Sequence, residues 1–140
     1  MPSPVEFLDG LIHEPSQVDD DGVSLTAGQV YRITEAGQAD FGGEEYADPA
    51  TEPVDTERRD AADEYGWWEL DAGTYLLAFN ESLQSANVSF VLQPHERLLA
   101  LGASHPTAHV TDVGPVPLSV PEAGVALKEN AQVSRLVDTD

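Results

Sequence analysis

Cysteine is absent, lysine occurs once, at Lys128, and no long apolar run opens the chain. Each absence excludes something. Without cysteine there is no disulfide framework and no thiolate chemistry. Without an N-terminal apolar stretch, neither a signal peptide nor a membrane span is expected, which fits a cytoplasmic protein. The shortage of cations is the sharpest: Lys and Arg together number 6 against 26 Asp and Glu, a net charge of −20. Binding a phosphate backbone needs Lys and Arg to displace counterions, so a nucleic-acid partner is excluded. Anionic membranes are disfavoured for the same reason.

Two sources fit such a charge: acidic disordered tails, or life in high salt, where screening removes self-repulsion and dense carboxylates keep a protein soluble. The acids are spread along the whole chain, which favours a halophilic origin. The charge then describes the solvent and says little about function. The sequons at Asn80 and Asn87 matter only in a secreted chain and read as chance.

A length of 140 residues predicts one domain with a real core. No repeat is visible. "GVSLTAGQVYRIT" (22–34) reads as two short strands about a turn at Gly28. Residues 35–66 are acidic, rich in Gly and Pro and poor in apolar residues, and read as a mobile excursion, with room for a helical turn or two in "TERRDAAD". "WWELDAGTYLLAFNESL" predicts two strands around Asp71-Ala72-Gly73, and "NVSFVLQP" a strand that Pro94 ends. "ERLLALGA" is the best helix, with Gly102 as its stop. "TAHVTDVG" returns to strand, and "VPLSVPEAGVALKENAQVSRLV" gives two or three more. Many short strands with close turns indicate an all-β sandwich or barrel with minimal helix.

The residues alone carry little chemistry. His105 and His109 are four apart and would share one face of a strand, but Asp112 falls on the opposite face and no third ligand is near. A plain pair of polar histidines outweighs a metal site, and no metal ligands are assigned. No Gly-rich phosphate loop with a Lys exists, and no Ser-His-Asp grouping can be argued. Trp67-Trp68 reads as one core and one surface aromatic at a strand start.

The order of the segments says more. "DGVSLTAGQVY" resembles an early "GVDLT" segment, "LDAGTYLLAFNESL" resembles "LPPGEYVLATTLE", and "PHERLLALGAS" sits where "PRSSLLRLGL" belongs. "AHVTDVGPVP" stands for "A-x-I/W-D-x-G-Y/F-x-G", and "GVALKENAQVSRLV" for a closing "I-x-L-x-x-G-x-R-I-A-Q-L-V". From about Gln17 to Val137 the chain resembles the dUTPase/dCTP deaminase superfamily, most closely its halophilic archaeal members. The resemblance implies an all-β fold, a distorted β-barrel or jelly-roll-like sandwich with one short helix. It also implies a homotrimer, with sites at subunit boundaries, acting on a deoxynucleoside triphosphate.

The departures concern the chemistry. The resemblance implies an Arg and a Ser on the phosphates, and here His95 and Glu96 stand in their places, with Arg97 at the last Ser. A carboxylate beside a triphosphate repels it unless a cation intervenes. Asp112 matches the hydrolytic Asp and is the candidate base, but Pro115 and Pro117 replace the following Tyr and Gly. Ser24 replaces an Asp and Arg135 a Gln, and no acid follows Asp112 until Glu122, where a deaminase needs a Glu sooner.

The expected chain is thus a catalytically impaired or non-catalytic nucleotide-binding or assembly paralogue in deoxynucleotide metabolism. His95, Glu96, Arg97 and Arg135 are its candidate substrate-binding residues. The alternative is a divergent dUTP or dNTP pyrophosphohydrolase with Asp112 as base, Arg97 on phosphate and Mg²⁺ as charge clamp. Glu96 and Arg97 as plain solvated charges are an equal expectation.

Overall fold

Residues 22–27 alternate apolar and polar side chains, and both sets are buried. Val23, Leu25 and Ala27 turn into the apolar core, while Ser24 and Thr26 face a second, polar interior. A strand with both faces covered belongs in the middle of a fold, and there this one sits.

The structure, a computed structural model, describes residues 3–84 and 87–139. In chain order a 3-10 turn (Pro4–Phe7) leads into β1 (Leu8–Asp9), α1 (Glu14–Gln17), β2 (Gly22–Glu35), β3 (Ala50–Pro53), β4 (Trp67–Leu70), β5 (Gly73–Phe79) and β6 (Ser82–Leu83). There follow β7 (Phe90–Pro94), α2 (Glu96–Ala100), β8 (Ala108–Val110), β9 (Val116–Val120), β10 (Val125–Lys128) and β11 (Gln132–Val137). The main sheet runs β8-β7-β11-β2-β5-β9 with β3 added to β2, antiparallel throughout and curled into a half-barrel. Two small ribbons, β1 with β6 and β4 with β10, accompany it.

The all-β expectation holds, with corrections in detail. The described residues form two short α-helices rather than one: α1 escapes a sequence reading because it is four residues long and carries Pro15. Pro is tolerated in a first helical turn, where its missing N–H has no partner to lose. Residues 22–35 form one strand, not two. Gly28 is a bulge, since the register moves from Ala27 opposite Phe79 to Gln29 opposite Ala78. The extra residue resets the alternation, so the next core side chain after Ala27 is Val30. Glycine is needed there because a Cβ would lie 2.8 Å from the Asn80 side-chain oxygen and 3.0 Å from its backbone nitrogen.

No helix forms over 56–63. Asp60 and Asp63 instead accept from the backbone N–H groups of Ala62 and Tyr65, a local pairing that competes with helix. The stretch 35–66 is tied to the body by β3 on β2, by a bridge between Glu57 and Trp67, by buried Val54 in the core, by Asp63 accepting from Lys128, and by Glu129 accepting from Thr56 Oγ and Gly66 N–H. Trp68 is buried and donates its indole N–H to Val54 O at 3.1 Å, while Trp67 stays half-buried with the Arg59 guanidinium 3.8 Å over its ring.

Among the described residues the core has two clusters. One gathers Ala27, Val30, Trp68, Leu77, Leu98, Leu118 and Val133, the other Val23, Leu25, Phe90, Leu92 and Leu136. Each such leucine contributes about 2 kcal/mol by leaving water. β2 and β11 supply both clusters, which fixes the two strands against each other and, with them, the residues that face outward between them.

Candidate functional site

β7 ends at Pro94, which cannot donate to a ladder, and the chain turns into α2. His95 is the N-cap: its backbone is extended and its Nδ1 accepts from Arg97 N–H at 3.0 Å. Its own N–H donates to Val133 O at 2.9 Å, which pins the helix start to β11. A ring whose Nδ1 accepts must carry its proton on Nε2 and be neutral. Burial, and then the charges of Arg97 and Arg135, hold this imidazole below its ordinary value. His95 therefore caps a helix and supplies no cation.

Glu96 and Arg97 follow in the first turn of α2, both exposed. The Arg97 guanidinium has no hydrogen-bond partner among the described residues. Arg135 projects from β11 directly opposite Ser24 of β2 and donates Nη1 to Ser24 Oγ at 3.1 Å. Its two terminal nitrogens also fork onto Asp19, at 2.9 and 2.8 Å. That guanidinium is the main reason the Asp19 carboxyl is lowered to about 2.

These groups line one open cleft of about 520 Å³, with Asp21, Gln93, Leu99, Gln132 and Ser16 completing the wall. Of the residues expected at a site, the structure brings His95, Glu96, Arg97 and Arg135 together. Asp112 is not among them. It is exposed in the bend after β8, and β7 lies between that strand and β11 in the sheet. Asp19 was missed by sequence reasoning. Its only signal is an acidic triplet ahead of a strand, "VDDDGV", in a chain where acids are everywhere.

The histidine pair separates. His105 is buried, with Nδ1 donating to Pro106 O at 2.9 Å and Nε2 accepting from Ser134 Oγ at 2.6 Å, while His109 is exposed on β8. No group of three or more His, Asp or Glu among the described residues is arranged to hold a metal ion. Mg²⁺ keeps much of its shell as water and phosphate oxygen, so an ion carried in on a nucleotide needs no all-protein cage. Of the cleft carboxylates, Asp21 and Glu96 are not committed to Arg135.

No family profile matches the chain. Two curated proteins do: each is a "probable deoxyuridine 5'-triphosphate nucleotidohydrolase", from Methanosarcina mazei and Methanosarcina acetivorans. Both are 28% identical over 138 residues, covering 94% of this chain and 77% of the relative. Among solved structures, a 2'-deoxycytidine 5'-triphosphate deaminase from Agrobacterium tumefaciens superposes with a TM-score of 0.58. The overlap covers 94% of this chain but only 43% of that one, at 14% identity, and establishes likeness of fold. In sequence and in fold the chain is similar to the dUTPase/dCTP deaminase superfamily.

Within the superfamily resemblance, Ser24, His95, Glu96, Arg97 and Arg135 are positions from three separate segments, and they meet in this cleft. Pro117, which replaces a glycine of the superfamily pattern, lies opposite Leu76 in β9. β9 is the edge of the sheet, where a missing N–H costs no inner ladder bond.

Proposed function

We propose that this chain is a nucleotide-binding member of its superfamily that does not turn over a triphosphate with its own residues, and serves deoxynucleotide metabolism as a binding or assembly subunit. The observation that carries the reading is the balance of charge in the cleft. Of its two guanidiniums, Arg135 is already bound by Asp19 and only Arg97 is unpaired, against the three carboxylates of Asp19, Asp21 and Glu96. Phosphoryl chemistry requires a base, an aligned water and a neutralised triphosphate together. One free guanidinium does not neutralise a triphosphate beside three anions, and a Mg²⁺ bound to the nucleotide would have to supply the remaining counter-charge.

A second reading has its own observation. Asp112 is exposed at its bend, and in a homotrimer with sites at subunit boundaries it would be offered to a neighbour's cleft as base. Leu99 and Leu101 on and just after α2 are half exposed, at 52% and 49%. They flank a largely apolar groove lined by Leu98, Ala126, Leu127 and Val133, a surface suited to a second copy of the chain.

One assay separates the readings. Protein of mass established by light scattering is incubated with dUTP, dCTP and the other dNTPs plus Mg²⁺ in molar salt. The expected outcome is no pyrophosphate release with any of them. Turnover that disappears in Asp112→Ala replaces the first reading with the second.

A further inference from the structure

The Asp19–Arg135 contact is built rather than incidental. Val18 and Val23 bridge as the ends of a tight turn, and Asp19 N donates to Gly22 O at 3.0 Å. Asp19 Oδ1 accepts from the N–H groups of Asp21 and Gly22, at 2.9 and 3.0 Å, so the turn itself aims the carboxylate. Both carboxylate oxygens then receive Arg135, whose side chain is only 16% exposed, while that of Asp19 is 56% exposed. A planar two-point fork onto a guanidinium is the geometry that a phosphate or carboxylate ligand also adopts.

We propose that Asp19 is an internal anion standing in for ligand on Arg135, so that the 18–23 turn acts as an autoinhibitory latch on the cleft. This rests on the reading of the cleft as a nucleotide-phosphate site. An incoming phosphate meets a guanidinium already neutralised, and beside it a carboxylate that repels it. Ligand engages Arg135 only when the turn releases. The release costs no core contact, because Asp19, Asp20 and Asp21 are all exposed. The buried anchor behind the turn stays in place: Gln17 in α1 is held by Ser24 O and Glu81. The latch therefore moves on a fixed hinge between Gln17 and β2. Because the pair is partly in solvent, salt weakens it, and the cleft becomes more receptive as ionic strength rises relative to a cleft without the latch.

The test is Asp19→Asn. Asparagine keeps the Oδ1 that caps the turn and removes the charge that holds Arg135. Asp21→Asn removes the same charge from the same cleft without touching Arg135. Calorimetric titration uses α,β-imido-dUTP with Mg²⁺, and inorganic triphosphate as a second probe, in low and in molar salt. Near-ultraviolet circular dichroism establishes that each variant is folded. Asp19→Asn is expected to bind both probes about tenfold more tightly than the unmodified chain, a gain of the size of one charge-assisted fork. Asp21→Asn is expected to gain less than threefold, and the Asp19→Asn gap is expected to narrow in molar salt. Equal affinity of Asp19→Asn and the unmodified chain, or an equal gain from Asp21→Asn, overturns the latch and leaves the cleft reading standing. No binding of either probe by any folded variant overturns the cleft reading and the latch with it.

Discussion

Two carboxylates flank the same stretch of β2 and are handled in opposite ways. Glu81 is 2% exposed and has no cation among the described residues, yet it accepts from Thr26 N–H at 2.8 Å, Thr26 Oγ at 2.6 Å and Gln17 Nε2 at 2.9 Å. Asp19 is exposed, has a guanidinium, and is anchored only to its own turn and Arg135. The first is satisfied by dipoles fixed in the fold, and removing it would strand several buried donors. The second is satisfied by a partner that other anions can also satisfy. Burial with neutral donors makes a permanent joint, whereas exposure with a charge makes an exchangeable one. No buried polar side-chain atom among the described residues lacks a partner, so the permanent joint is complete.

The comparison is broken most violently at Glu81. Glu81→Ala leaves two donors of Thr26 and one of Gln17 in the interior without an acceptor, a loss expected at about 3–5 kcal/mol. Urea unfolding at fixed salt measures it, and a loss under about 1 kcal/mol would mean that water reaches the network. β2 and α1 should loosen together, because Gln17 ties both to that carboxylate.

Acid gives an intermediate effect through His105. Burial holds this imidazole below its ordinary 6.5, and His95 is lowered too. With depressed folded values, the unfolded chain takes up these protons first. Stability is then complete above about pH 6.5 and is lost as the pH falls from there through the folded values. The urea midpoint should drop between about pH 7.5 and pH 5, and drop less in His105→Gln, which cannot be protonated. Identical pH profiles for the two proteins would show that His105 is charged, or solvated, in the fold.

The smallest effect is at Asp19 itself. Asp19→Asn should cost less than about 1 kcal/mol of stability, because its carboxylate is mostly in solvent, and the cost should vanish in molar salt. A loss as large as that of Glu81→Ala would place both carboxylates in one permanent structure and leave no exchangeable joint.

Much of the fold is legible in the sequence because it is written in local patterns. The helix at 96–100 with Gly102 behind it, the strands around 71–73 and the three closing strands all follow from periodicity and turn residues. The single long β2 was not legible, because a glycine that makes a bulge and a glycine that makes a turn look alike until the partner strand is known. In the candidate cleft, His95, Glu96, Arg97 and Arg135 could be nominated from aligned motifs, and the structure brings them together. That His95 serves as a helix cap, and that Asp19 occupies Arg135 across 116 positions of sequence, are tertiary facts with no local signature.

The place of β11 between β7 and β2 sets the timetable of the chain's birth. β2 leaves the ribosome well before its neighbour on one side, which is made of residues 132–137. Until then Val23 and Leu25 have no Leu136 against which to pack. Until β11 is made the nascent chain carries an open strand edge, and the closing step is a long-range pairing of the slow kind. The dense negative charge of the chain has a use here, since chains that repel one another aggregate poorly while the edge waits.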